Sequence, residues 1–162
     1  MVTSQELYKK WGDPFDTSDE GSYMTVWKVP SYVSKNIPTI PRRIYCNKQM
    51  ALPLEIAFLN VIEAGVENEI RTWDGCFQVR PIRGYEKLFH ALYAKGSVEN
   101  AMKYTSVHSW GFGIDINAAW NGLGKKSTMS KELVECFTDV DFDWGGTWTR
   151  PDGMHFQLSY IT

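Results

Sequence analysis

Two short stretches of alternating residues constrain this chain more than anything else in it: Gly113-Ile114-Asp115-Ile116 and Met154-His155-Phe156-Gln157-Leu158. As strands, each puts its apolar residues on one face and its polar residues on the other. If the two are neighbours, Asp115 and His155 stand together on one face of one sheet. Gly111 and Gly113 can adopt backbone angles that other residues avoid, and so can turn the chain until His108 points at the same spot. Asp152 lies three residues before His155, an odd offset that belongs to the wrong face of a continuous strand. Pro151-Asp152-Gly153 is a turn signal, however, and a turn swings Asp152 back.

Two histidines and two aspartates brought together this way suit a catalytic zinc ion. Such a zinc takes three protein ligands and keeps a fourth position for water. His108, Asp115 and His155 are the candidate ligands. Bound water then has a pKa of ~7, and Asp152 is placed to accept its proton and pass it to a leaving amine. A single histidine is ordinarily structural, and a single Asp-Gly is ordinarily a turn. The chain has only 3 histidines, and two fall in these stretches. On residue chemistry alone the cluster is a candidate metal site.

The 162 residues suit a single domain, with 43% hydrophobic and 22% charged content for an ordinary core. No apolar run is long enough to span a bilayer, and Met1 to Glu6 lacks the basic and apolar regions of a signal peptide. The expectation is synthesis in a cytoplasm without a cleaved export signal and without stable membrane insertion. Cys46, Cys76 and Cys136 are too widely spaced for a zinc finger and read as reduced, mostly buried thiols. A formal charge of −2 with no basic stripe argues against nucleic acid as a partner. It also argues against strong attraction to an anionic envelope.

Thr3 to Lys10 reads as a short helix with a Thr3/Glu6 capping box, stopped at Trp11-Gly12-Asp13-Pro14. Asp16 to Glu20 reads as an acidic loop and Tyr23 to Val29 as a strand. The stretch punctuated by Pro30, Pro38 and Pro41 reads as extended loop, in which Trp27 or Tyr32 either lines a groove or simply packs. Ala51 to Ala64 is the clearest helix, with Leu54, Phe58, Val61 and Ile62 on one stripe and Gly65 as its stop. Glu69 to Trp73 and Cys76 to Arg80 flank Asp74-Gly75, a hairpin signal. Leu88, Leu92 and Tyr93 sit at helical spacing, and His90 among them belongs to no motif. Val98 to Tyr104 reads as a further turn of helix. Ala118 to Lys126 forms a glycine-containing rim, and Ser130 caps a helix from Lys131 to Phe137. Asp139, Asp141 and Asp143 lack the glycine and closing glutamate of an EF-hand and read as solvated charge. Trp144 and Trp148 either contact substrate or pack under the site. Helices early and between strands, with alternating strands, give an α+β fold. Its sheet is antiparallel, with helices on one face and the metal on the other.

Ser106-x-His108-x-x-Gly111-x-x-x-Asp115, followed by Asp152-x-x-His155, resembles the D-Ala-D-Ala metallopeptidase family, whose members share a Hedgehog/DD-peptidase-like fold. The family includes D,D-carboxypeptidases, the dipeptidases of vancomycin resistance, and the L-alanyl-D-glutamate endopeptidases that phages use as endolysins. The resemblance runs from Cys46 to the end (46–162), within a single catalytic domain (1–162) and without a separate wall-binding module. It implies one Zn2+ held by His108, Asp115 and His155, with Asp152 as general base. It also implies an arginine upstream of the first histidine that grips the oxyanion. Arg80, in Arg80-Pro81 like the Arg-Pro of the dipeptidases, takes that role, with Arg83 as its rival. Ser106, Trp110, Trp148 and Gln157 are the substrate candidates. Gly145-Gly146-Thr147-Trp148 is similar to the endolysin branch.

The resemblance thus implies a zinc endopeptidase of peptidoglycan, cutting between L-Ala and D-Glu in phage-type lysis. It implies a monomer that reaches the wall through a phage membrane pore (holin) and acts on the cell wall or in the periplasm. A D-alanyl-D-alanine carboxypeptidase is the alternative. A non-catalytic wall-binding or virion structural protein on the same fold is the third possibility.

Overall fold

Helix α1 (Ser4–Trp11) begins where the sequence places its capping box. The Thr3 hydroxyl accepts from the Glu6 amide, the Glu6 carboxylate accepts from the Thr3 amide, and Gly12 ends the helix at φ 81°. All residues 1–162 are described by the computed structural model. The acidic stretch that follows is not a loop. Asp16 caps a 3-10 turn over Thr17–Asp19, which runs into α2 (Glu20–Tyr23), and Glu20 accepts a 2.6 Å hydrogen bond from Tyr45. Strand β1 (Met24–Lys28) then pairs antiparallel with β2 (Arg43–Asn47) as a separate two-stranded sheet. Between them lies α3 (Ser31–Asn36), which starts right after Pro30. The proline-punctuated stretch is therefore not an extended loop. Pro30 tolerates a helix beginning just after it because the first turn needs no amide from that position. Trp27 packs parallel to Phe58, and Tyr32 stays exposed, so neither lines the site.

Helix α4 (Ala51–Ala64) has the bounds its periodicity predicts, and Gly65 closes it in the left-handed region at φ 70°. Leu54, Ala57, Phe58 and Val61 are fully buried, while Ile62 is only half-buried. Phe58 meets Phe137 edge-on across the core.

The expected hairpin around Asp74-Gly75 does not form. Strand β3 is only Trp73–Gly75, and it pairs with a strand forty residues on. Cys76 to Arg80 instead runs beside residues 106–109. The Gln78 amide donates to the His108 carbonyl, the Arg80 amide to the Ser109 hydroxyl, and the Ser106 amide to the Arg80 carbonyl. Asp74, the expected turn residue, accepts from Thr72 and from the Ala118 amide. These long-range partners outcompete a local two-residue turn.

Helix α5 (Glu86–Ala94) packs Leu92 and Tyr93 against the core as their spacing predicts, but Phe89 takes the buried place expected of Leu88, which is exposed. Exposed His90 lies against the Phe89 ring and away from the other histidines. After α6 (Val98–Met102) come β4 (Gly113–Ile116), α7 (Lys131–Thr138, capped by Ser130), β5 (Phe142–Trp144) and β6 (His155–Leu158). The main sheet is antiparallel, in the order β3-β4-β6-β5. Its core face carries Ile114, Ile116, Phe156 and Leu158, all fully buried, with Phe137 of α7 4.6 Å from Phe156. The opposite face carries Asp115, His155 and Gln157. That face is not open. Residues 1–5 and the turn carrying His108 cover it, and Trp110 in that turn donates to the carbonyl of Gly12 at the end of α1. Helical structure therefore lies on both sides of the sheet.

Cys46, Cys76 and Cys136 are free and buried. Burial pushes the Cys46 thiol up to about 12, and it raises Cys76 and Cys136 as well. An unfolded thiol ionises near 8.5. Above that pH the unfolded chain releases protons that the folded chain retains. Stability is therefore expected to fall as pH rises above about 9, with Cys46 alone contributing up to about 1.4 kcal/mol per pH unit. Urea unfolding at pH 8, 9 and 10 measures it. A flat profile would contradict the burial of these groups.

Candidate metal centre

Strands β4 and β6 pair with Asp115 directly opposite His155. Both side chains therefore leave the sheet side by side. His108 arrives from a 3-10 turn, Val107–Trp110, which Ser106 caps by accepting from the His108 amide and Gly111 ends at φ 62°. A side chain on Gly111 would also strike the Asn47 amide of β2, 2.8 Å from where its Cβ would sit. Gly113 keeps an ordinary φ and serves by close approach: a Cβ there would lie 2.6 Å from Cε1 of His155. Gly113→Ala is expected to displace the His155 ring, weaken zinc binding and cost about 1–3 kcal/mol through overpacking. Zinc competition and thermal unfolding would measure the two effects. An alanine variant with parent-like zinc affinity would show that the ring has room.

The second nitrogen of each imidazole is already committed. His108 Nδ1 lies 2.7 Å from the Cys76 carbonyl oxygen. A carbonyl only accepts, so Nδ1 carries the proton. His155 Nε2 lies 2.9 Å from Oε1 of Gln157, whose Nε2 donates to the Val2 carbonyl at 3.0 Å. The Val2 carbonyl fixes which end of the amide faces His155, and Oε1 then requires the proton on His155 Nε2. In the neutral rings the inward atoms, His108 Nε2 and His155 Nδ1, are thereby left as bare lone pairs. They lie 3.1 Å from each other and 3.2 Å from the two Asp115 oxygens.

Three converging acceptors repel one another unless a cation or a proton sits among them. The donor set is two neutral imidazoles and one carboxylate, with all ligand atoms within 4.8 Å of one another. It fits zinc, whose tetrahedral bonds of ~2.0–2.1 Å to nitrogen set neighbouring ligands about 3.3 Å apart. His108, Asp115 and His155 would hold the ion. As proton donors the same two imidazoles act on Asp115: burial works against its carboxylate, but His108 and His155 hold it well below the usual carboxylate range. Burial likewise opposes the charged form of His155, yet the Asp115 carboxylate outweighs it and raises the pKa.

A cleft of about 540 Å³ opens on these three residues. Asp152 lines it, brought round by a turn in which its amide donates to the Gly145 carbonyl at 2.8 Å and its carbonyl accepts from the His155 amide at 3.0 Å. Gly145 must be glycine here, since a Cβ would run into the Asp152 backbone. Burial pushes the Asp152 carboxyl up, and the opposing pull of His155 does not cancel it. A carboxylate in this state is a better proton acceptor than one on the surface.

Arg80 and Arg83 both line the cleft. Arg80 is half-buried and anchored, with Nε donating to Gln78 and one terminal nitrogen to the Pro81 carbonyl. Arg83 is exposed. Lys103 and Arg150 also line the cleft, and none of these four cations forms a salt bridge. Nothing in the sequence spacing announces that grouping.

The four substrate candidates separate. Trp148 lines the cleft, its ring 5.4 Å from that of His155. Ser106 also lines it, but its hydroxyl is engaged as the cap of the His108 turn. Trp110 is fully buried in the core and cannot reach a substrate. Gln157 is 2% exposed, with both ends of its amide occupied, so it supports His155 and does not contact substrate. Its spacing of two from His155 puts both on one strand face, which is a signal legible in sequence. Trp144 packs over Phe156 and donates to the Gly153 carbonyl. Asp139, Asp141 and Asp143 do not gather into a metal-binding group.

Fold and site together define an α+β protein with a His-Asp-His group that could hold a metal ion in the lining of a cleft. Residues 99–158 match a family model described as D-alanyl-D-alanine carboxypeptidase. The matched stretch contains His108, Asp115, Asp152 and His155, covers less than half of the chain and leaves out Arg80. No curated protein and no solved structure matches.

Proposed function

We propose that this chain is a zinc-dependent peptidase of the bacterial cell wall, cutting the peptidoglycan stem peptide between L-Ala and D-Glu in phage-type host lysis. One observation carries the reading: two imidazole nitrogens, each with its ring partner nitrogen already committed, converge with the Asp115 carboxylate in the cleft that the half-buried Asp152 also lines. The family match over the same residues supports a wall peptide as substrate. So do the four cations without a salt bridge that line the cleft, because stem peptides carry free carboxylates. No helix is long and apolar enough to cross a membrane. The lysis reading carries with it synthesis in the host cytoplasm and passage to the wall through a phage membrane pore.

Zinc, when bound, supplies Lewis acidity toward the scissile carbonyl and makes water nucleophilic near neutral pH. Asp152 accepts the proton of the attacking water and delivers it to the departing amine as the C–N bond breaks. Arg80 donates to the oxygen on which negative charge develops. Trp148 offers a flat apolar surface beside the reacting peptide. The products are one new carboxylate and one new amine.

The description of the matching family favours a second reading, removal of a terminal D-Ala. Digestion of purified Gram-negative peptidoglycan, with and without a chelator, separates the two. New L-Ala carboxyl ends and D-Glu amino ends that vanish with chelator are the expected outcome. Free D-Ala would replace the endopeptidase with a carboxypeptidase. No released fragment from a zinc-loaded protein would remove both and leave a binding or structural role.

A further inference from the structure

The first residues of the chain lie against the metal face of the sheet, and their contacts are specific. Val2 is 6% exposed and Leu7 fully buried, while the Ser4 hydroxyl donates to the Thr105 carbonyl beside the turn that carries His108. The capping box at Thr3 fixes the direction in which α1 leaves this arm. The Val2 carbonyl is the acceptor that takes the Gln157 amide group.

That hydrogen bond has a chemical consequence two atoms further on. An amide side chain has a donor end and an acceptor end, and either can face His155. With the donor end held by Val2, the acceptor end meets His155 Nε2 and keeps the proton there. The lone pair is then on Nδ1, the atom that faces His108 and Asp115. If the amide turns over, its NH2 group faces Nε2, the ring proton moves to Nδ1, and the metal-facing atom is blocked.

We propose that the N-terminal arm is a working part of the metal centre, with Val2 and Gln157 as positioning residues that set the His155 tautomer competent to bind zinc. The proposal rests on the zinc reading of the site and extends it to a backbone carbonyl over 150 residues away in sequence. Outer partners of this kind typically change metal affinity by about 10- to 100-fold.

Three variants in the full chain test it. Val2→Asp places a charge in a buried pocket and unseats the arm. Gln157→Leu removes the acceptor opposite Nε2. Gln157→Glu keeps an acceptor there and needs no orienting partner. Zinc affinity from chelator competition is expected to fall about 10- to 100-fold for the first two and to stay near the parent's for the third. The ring nitrogens of His155, read by 15N NMR on zinc-free protein at alkaline pH, are expected to show the Nε2–H form in the parent and in Gln157→Glu. Val2→Asp is expected to populate the Nδ1–H form. A merely structural arm would lower the melting temperature without moving that equilibrium.

Parent-like zinc affinity in Val2→Asp and Gln157→Leu would overturn the proposal, as would an Nδ1–H ring in the parent. If Val2→Asp fails to fold, Gln157→Leu decides. Zinc binding by the parent that is indifferent to all three variants would remove this proposal and leave the proposed function standing. A parent that binds no zinc would remove both.

Discussion

Asp152→Ala is expected to keep stoichiometric zinc and to lose roughly 10²–10⁴ in kcat/KM on wall peptide. The separation of the two effects follows from where Asp152 sits. Its backbone, not its carboxylate, makes the turn: the amide reaches the Gly145 carbonyl and the carbonyl receives the His155 amide. Truncation at Cβ leaves both bonds, so the approach of His155 to Asp115 survives. What disappears is a carboxyl group that burial has made more basic than a surface aspartate. Parallel measurement of zinc content and turnover tests it. Parent-like turnover would take the general-base role from Asp152, and loss of zinc would make the residue part of the metal site.

His155→Ala is expected to abolish stoichiometric zinc and, with it, all activity above background. Removing the ring takes away one of the three acceptors and also strands two of its neighbours. The Gln157 oxygen loses the proton it faces, and Asp115 loses one of the two imidazoles that hold its pKa down. The remaining pair, His108 and Asp115, is below the three protein ligands typical of catalytic zinc. Metal analysis after dialysis is the measurement. A full zinc equivalent in this variant would mean that the ion is held by other residues, and the site would have to be redrawn.

Much of the centre can be read without coordinates, because alternation in a strand is a property of neighbouring residues. Ile114-Asp115-Ile116 and Met154-His155-Phe156 state which side chains share a face, and the structure pairs them Asp115 to His155. Local chemistry also carries the helices that have caps. Thr3 with Glu6, Gly65 after Ala64, and Ser130 before Lys131 each act within a turn or two of the residue they serve. The proline-punctuated stretch and the Asp74-Gly75 turn depart from their local sequence signals for the opposite reason. A helix begins directly after Pro30, and strand β2 finds its partner in β1. Residues 76–80 find theirs beside the His108 turn. A local turn preference of a kcal/mol or less yields to several long-range hydrogen bonds and a packed face.

The chain's sequence by itself determined the donor types, their strand faces and the turn that carries Asp152, since all of these depend on residues close together along the chain. Only the tertiary structure decided which imidazole nitrogens are free, that Gln157 serves His155 and not a substrate, and that Trp110 belongs to the core. It also decided that Arg80, Arg83, Lys103 and Arg150 line one cleft. A tautomer is set by whatever acceptor lies within about 3 Å of the ring. Here those acceptors are a carbonyl from residue 76 and an amide oriented from residue 2. No spacing rule along the chain encodes contacts of that range.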